Sequence, residues 1–109
     1  MSDTLFLLRD TLWAQRDNPE LVHLPAGLVD QAERHLVDLK TKWQATGDEQ
    51  IMNEHEAVVS ALESLQEERA ERIWAMAYTQ ASPVNAMTQR ERTMFEALVS
   101  MAAQLRGVA

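Results

Sequence analysis

Apolar residues recur at steps of three and four through most of this chain, and the longest such run sets its organisation. Between Asp48 and Ser82, a stretch with neither glycine nor proline, Ile51, Val58, Val59, Leu62, Leu65, Ile73 and Met76 fall on one stripe of a helix. Such a helix would run roughly 50 Å at about 1.5 Å per residue. Arg69 interrupts the stripe, four residues after Leu65 and four before Ile73, and Arg72 flanks it. An unpaired guanidinium in a core is costly, so Arg69 either snorkels to the rim or bonds a carboxylate on a neighbouring helix.

The remaining segments carry the same period with clear punctuation. Leu5, Phe6, Leu8, Leu12 and Trp13 form the apolar side of a first helix over 3–16, with Ser2 or Asp3 as its cap. Pro19 ends it by forcing the preceding residue out of helical geometry. A leucine-rich connector, DNPELVHLP, follows and lies against the core through Leu21, Val22 and Leu24. Pro25 suits the first turn of a second helix over 26–46, whose stripe is Leu28, Ala32, Leu36, Leu39 and Trp43. Lys40 and Lys42 complement the negative end of its dipole. Gly47 fits the residue just past this helix, and Asp48 fits the cap of a long helix over 48–82. Thr88 and Glu91 have capping-box spacing and open a last helix over 88–106, with Met94, Phe95, Leu98, Met101, Ala102 and Leu105 on one side. The short links predict an all-α, antiparallel bundle of four main helices in a single domain over 1–109.

Composition agrees and narrows the chemistry. The chain has 109 residues, 46% of them hydrophobic, with three Gly, three Pro and no Cys. That suits one helical core, poor in volume relative to surface, and excludes disulfides and thiolate metal sites. The start MSDTLFLLRD lacks a signal-peptide pattern, and the longest apolar run, Ile73 to Tyr78, is too short for a bilayer. A cytoplasmic location is expected.

The net charge of -7 is uneven. Residues 1–47 hold seven acids and five bases, residues 48–82 eight acids and two bases, and residues 83–109 two acids and three bases. The excess negative charge therefore sits on the long helix, which disfavours direct nucleic-acid binding and favours a basic protein partner.

No residue set assembles into a catalytic centre. There is no phosphate-binding glycine loop, nucleophile turn or cysteine nucleophile, so no enzyme and no cofactor are expected. Glu63, Glu67 and Glu71 repeat at four residues and, with Glu68, read as a solvated acidic face, partly balanced by the Glu68–Arg72 pair. His35 and Asp38 could share a cation, but the di-metal pattern of helical bundles requires two Glu-x-x-His elements that the chain lacks; no metal site is expected. His23 reads as a surface residue and His55 as partly buried. Trp13 and Trp43 read as core or rim.

Ile73-Trp74-Ala75-Met76-Ala77-Tyr78 is apolar all round the helix, more than a one-sided bundle needs. A second polypeptide covering Ile73, Trp74, Met76 and Tyr78 would account for it, and self-association to a dimer or tetramer is expected.

The order of these signals resembles the helical A domain of archaeal-type GINS replication proteins. In that pattern an opening helix ends near Glu-Arg, where Gln15-Arg16 stands here, and a connector closes in Leu-Pro, matched by Leu21-x-x-Leu24-Pro25. An acidic-aromatic pair opens the family's next helix, where this chain departs with Gly27-Leu28. A Glu near the start of the long helix corresponds to Glu54, and an Arg-x-x-Lys-Ile element to Arg69-x-x-Arg72-Ile73. The Leu-Thr-x-x-Glu opening of the last helix corresponds to Met87-Thr88-x-x-Glu91, followed by Phe95 and Leu98. The family's small β-rich B domain is not represented within residues 1–109.

The resemblance implies a non-catalytic scaffold that assembles through helical faces and links an MCM helicase to a RecJ-like protein. It makes Arg69, Arg72 and Glu54 the candidate structural ion-pairing residues. The competing reading is a small acidic helical accessory or phage-encoded protein, which uses Glu63, Glu67, Glu68 and Glu71 to bind a basic partner or to mimic nucleic acid.

Overall fold

The computed structural model describes residues 3–79 and 82–107. It contains α1 (Asp3–Arg16), α2 (Leu28–Thr46), α3 (Glu49–Tyr78) and α4 (Gln89–Leu105), packed against one another, with no strand among the described residues. The helix ends follow local chemistry. Gly47 adopts a left-handed φ of 67°, open to glycine without a Cβ penalty, and its N–H donates to the Trp43 carbonyl at 2.7 Å. Asp48 then accepts from the Gln50 N–H at 2.9 Å, and Thr88 and Glu91 form the reciprocal capping box.

Two boundaries move inward from the sequence expectation. α2 starts at Leu28 because Pro25 to Gly27 forms a turn, with the Leu28 N–H on the Pro25 carbonyl and Gly27 at φ 69°. α3 ends at Tyr78, where the Thr79 hydroxyl bonds back to the Ala75 and Met76 carbonyls. Ser82 is non-helical, and Ser2, Gln80 and Ala81 lie outside the described residues.

α3 is the shared spine. α2 descends antiparallel to it across the Gly47–Asp48 turn, and His35 faces Glu54. α1 begins beside Gln31 of α2, through Thr4, and ends at Glu68, Arg69 and Arg72 of α3, so it opposes α2 and runs with α3. The connector between α3 and α4 travels back along the spine. α4 therefore starts at Arg69, ends with Arg106 over Tyr78, and follows α3 in the same sense. The molecule is 57 × 25 × 18 Å, longer than the roughly 45 Å of a 30-residue helix.

The core forms two clusters. Leu5, Leu8, Leu12, Leu28, Ala32, Leu39, Val58, Ala61, Leu62 and Leu65 make the larger one, between α1, α2 and the lower part of α3. Leu21, Ile73, Ala77, Met87 and Phe95 make the smaller one, between the first connector, the upper part of α3 and α4. Phe6 and Trp13 are exposed, because both lie off the Leu5–Leu8–Leu12 stripe; Arg16 sits 5.5 Å from the Trp13 ring. Trp43 is on the rim, since α1 begins level with Gln31 and leaves the last turns of α2 against α3 alone.

An alanine at position 47 would have to hold the left-handed conformation. Gly47→Ala should cost about 1 kcal/mol in urea unfolding with an unchanged m-value, and Gly47→Asn should cost less.

Candidate functional site

Arg69 lies between the two core clusters and is 2% exposed. Each of its five donors meets an acceptor. Nε and Nη2 form a fork onto Glu91 Oε2 and Oε1 at 2.7 and 2.9 Å. Nη2 also donates to the Ala86 carbonyl at 2.8 Å, and Nη1 donates to Gln15 Oε1 at 3.1 Å and the Val22 carbonyl at 2.7 Å. One side chain thus ties together α1, both connectors and α4. Of the two alternatives for Arg69, the structure selects the carboxylate on a neighbouring helix.

Gln15 is fully buried and completes the node. Its amide nitrogen donates to the Glu20 carbonyl, and its oxygen accepts from the Val22 N–H. Arg72 extends the same clamp: Nε and Nη2 donate to the Asn18 and Gln15 carbonyls, and Nη1 bonds Glu68 at 2.9 Å. No buried side-chain polar atom among the described residues lacks a partner.

The Glu91 carboxyl is held below its ordinary value of 4.5. Burial alone would raise it, but hydrogen bonds from Arg69 and the Thr88 backbone, with the Arg69 charge, together outweigh that. Every Arg69 donor is satisfied inside the chain. It is a structural clamp.

The predicted site residues divide around this clamp. Arg69 and Arg72 belong to it, but Glu54 does not: the α2–α3 register sets it 3.2 Å from His35. Glu68 also leaves the acidic face, bridging Arg72 and Arg16 at the end of α1. Glu63, Glu67 and Glu71 are exposed on the far side of α3. Ile73 is 0% exposed and belongs to the chain's own core, and Met76 is partly buried against the same cluster. Trp74 and Tyr78 remain 42% and 55% exposed, their rings 6.4 Å apart.

His23 is exposed, His55 is partly buried, and the described residues hold no group of three metal-ligating side chains. No described helix is long and apolar enough to cross a membrane. Comparison with known protein families, curated proteins and solved structures gives no match.

Two features escaped the sequence reading. Gln15 falls three residues after Leu12 and seven after Leu8, on the buried stripe, and that spacing was the available signal. On α4, Met101 and Leu105 are 53% and 76% exposed, on either side of the buried Ala102.

Arg69→Met should destabilise the chain by about 3–5 kcal/mol in urea unfolding, since it leaves Glu91 and two main-chain carbonyls without their donor. An unchanged unfolding midpoint would remove the clamp from the account. Glu91→Gln gives the pH dependence. A carboxyl whose folded pKa is lowered stabilises fully above its unfolded value and loses that contribution as pH falls through the folded one. The gap in stability between parent and Glu91→Gln should therefore be widest near neutrality and close below pH 4.5.

Proposed function

We propose that this protein is a non-catalytic interaction scaffold of the GINS A-domain kind, working through the upper parts of α3 and α4. The observation that carries this reading is the exposure of four large apolar side chains there, Trp74, Tyr78, Met101 and Leu105, next to a well-filled core. Isolated exposed apolar residues need no explanation, but several on two adjoining helices suit a covered surface.

The residues behind the resemblance add support by their convergence. Gln15, Arg69, Arg72, Thr88 and Glu91 come from distant parts of the chain and meet in one hydrogen-bonded cluster. The resemblance supplies an MCM helicase and a RecJ-like protein as candidate partners.

Self-association fits α4 best. Residues 83–109 carry two acids and three bases, so a second copy meets little repulsion there despite the net charge of -7. Met94, Met101 and Leu105 fall on one side of α4 at steps of seven and four.

Light scattering behind size-exclusion chromatography tests this. The parent chain should elute as a dimer or tetramer, and Met101→Glu with Leu105→Glu should elute as a monomer of unchanged helicity. A monomeric parent, or an assembly that survives both substitutions, would overturn the self-association.

A further inference from the structure

The α3 part of that surface, from Trp74 and Tyr78 back along the helix, has a chemistry that specifies its occupant. We infer that the outward face of α3 receives a cationic amphipathic helix from a partner protein; this rests on the scaffold reading above and names the partner class for the α3 surface.

α1, α2 and α4 cover the inner sides of α3 and leave one stripe bare along its length. Glu49, Glu56, Glu63, Glu67 and Glu71 lie on that stripe, all exposed. Trp74 and Tyr78 continue it, three and seven residues beyond Glu71. The steps are threes, fours and sevens throughout, so the face is straight and suits a second helix lying alongside.

The stripe does not neutralise itself. No Lys or Arg stands three or four residues from any of those five glutamates, on either side. The two arginines of α3 are both consumed inward, Arg69 by Glu91 and Arg72 by Glu68 and the first connector. Glu63, Glu67 and Glu71 stand four apart, where like charges repel, and none of them has a salt-bridge partner among the described residues.

A phosphate polymer or an anionic membrane is repelled by such a face, and a basic helix is attracted to it. The aromatic end adds direction. Trp74 and Tyr78 are tilted by 44° with centroids 6.4 Å apart, and Arg106 already stacks 4.8 Å over the Tyr78 ring. That end takes an apolar residue of the partner, or one further cation on a ring face, and so fixes which end of the incoming helix lies there.

The test uses two synthetic helical peptides of identical composition. In one, lysines repeat at three- and four-residue steps on one face that ends in Leu and Phe; in the other, the same residues are scattered around the helix. The 1–109 chain carrying Trp13→Phe and Trp43→Phe reports binding through Trp74 fluorescence at about 0.15 M salt. The patterned peptide should bind at least about tenfold tighter than the scattered one and shift the Trp74 emission. Glu63→Gln, Glu67→Gln and Glu71→Gln together should remove about tenfold or more of that affinity, with helicity unchanged by circular dichroism. Equal binding of the two peptides, full affinity in the triple variant, or no binding would each overturn the inference. Those failures leave the light-scattering mass untouched, and loss of self-association leaves peptide binding measurable, so the two readings fail separately.

Discussion

The Arg69 guanidinium, buried between two apolar clusters, is the constraint to which the rest of the molecule conforms. Removing an ion of this kind from water costs several kcal/mol even after relaxation, and the Coulombic attraction of one carboxylate recovers that only with good geometry and further hydrogen bonds. Here the fork onto Glu91 supplies the geometry, and Gln15, Val22 and Ala86 accept the remaining donors. Two of those acceptors are main-chain carbonyls of the connectors. A leucine at position 69 would join the two clusters but take the Arg69 donors from both carbonyls and from Glu91, leaving that partly buried carboxylate with the Thr88 N–H. The arginine matters less as a source of net energy than as the fixed point that decides where each connector must pass.

The course of α4 follows from that fixed point. Arg69 lies about 13 Å back along the spine from Tyr78, at 1.5 Å per residue. Ala86 and Glu91 reach it only if the connector after α3 runs backward before the last helix begins. α4 then climbs beside α3 and buries Phe95 and Ala102 against it, while Met101 and Leu105, off that stripe, stay exposed. The same economy of positive charge shapes the opposite face. Because Arg69 and Arg72 both turn inward, the outward glutamates of α3 keep no basic neighbour on their own helix. The clamp that organises the interior thereby gives the exterior its charge.

Much of this was legible in the sequence, and what was missed has a common cause. Gly47, Asp48 and the Thr88–Glu91 box acted as read because capping is local: donor, acceptor and backbone geometry lie within a few residues. Arg69 was conspicuous because it broke an apolar stripe. Its partner was hidden, since Glu91 already had a complete role as a capping residue and lies 22 positions away. Gln15 was passed over because a glutamine in a helix reads as solvated unless its place on the stripe is checked. Glu54 could have been assigned by register: an antiparallel return through Gly47 and Asp48 sets it near His35, far from Arg69. The burial of Ile73 was hidden because the path of the second connector, which decides what α4 covers, is not written in any periodicity.

α2 and α4 both begin near the same level of the spine, one descending and the other climbing. Between their starts lies a cleft of about 660 Å³ over Leu62 and Leu65, rimmed by Leu24, Leu28, Met87 and Met94. The larger cluster and the smaller one meet at the Arg69–Gln15 node and along the unbroken backbone of α3. A helix lying on the outward stripe of α3 meets α3 along its length and Arg106 beside Tyr78, away from the node. The α4 surface belongs to the smaller cluster, which the node holds to the rest through Glu91 and Ala86.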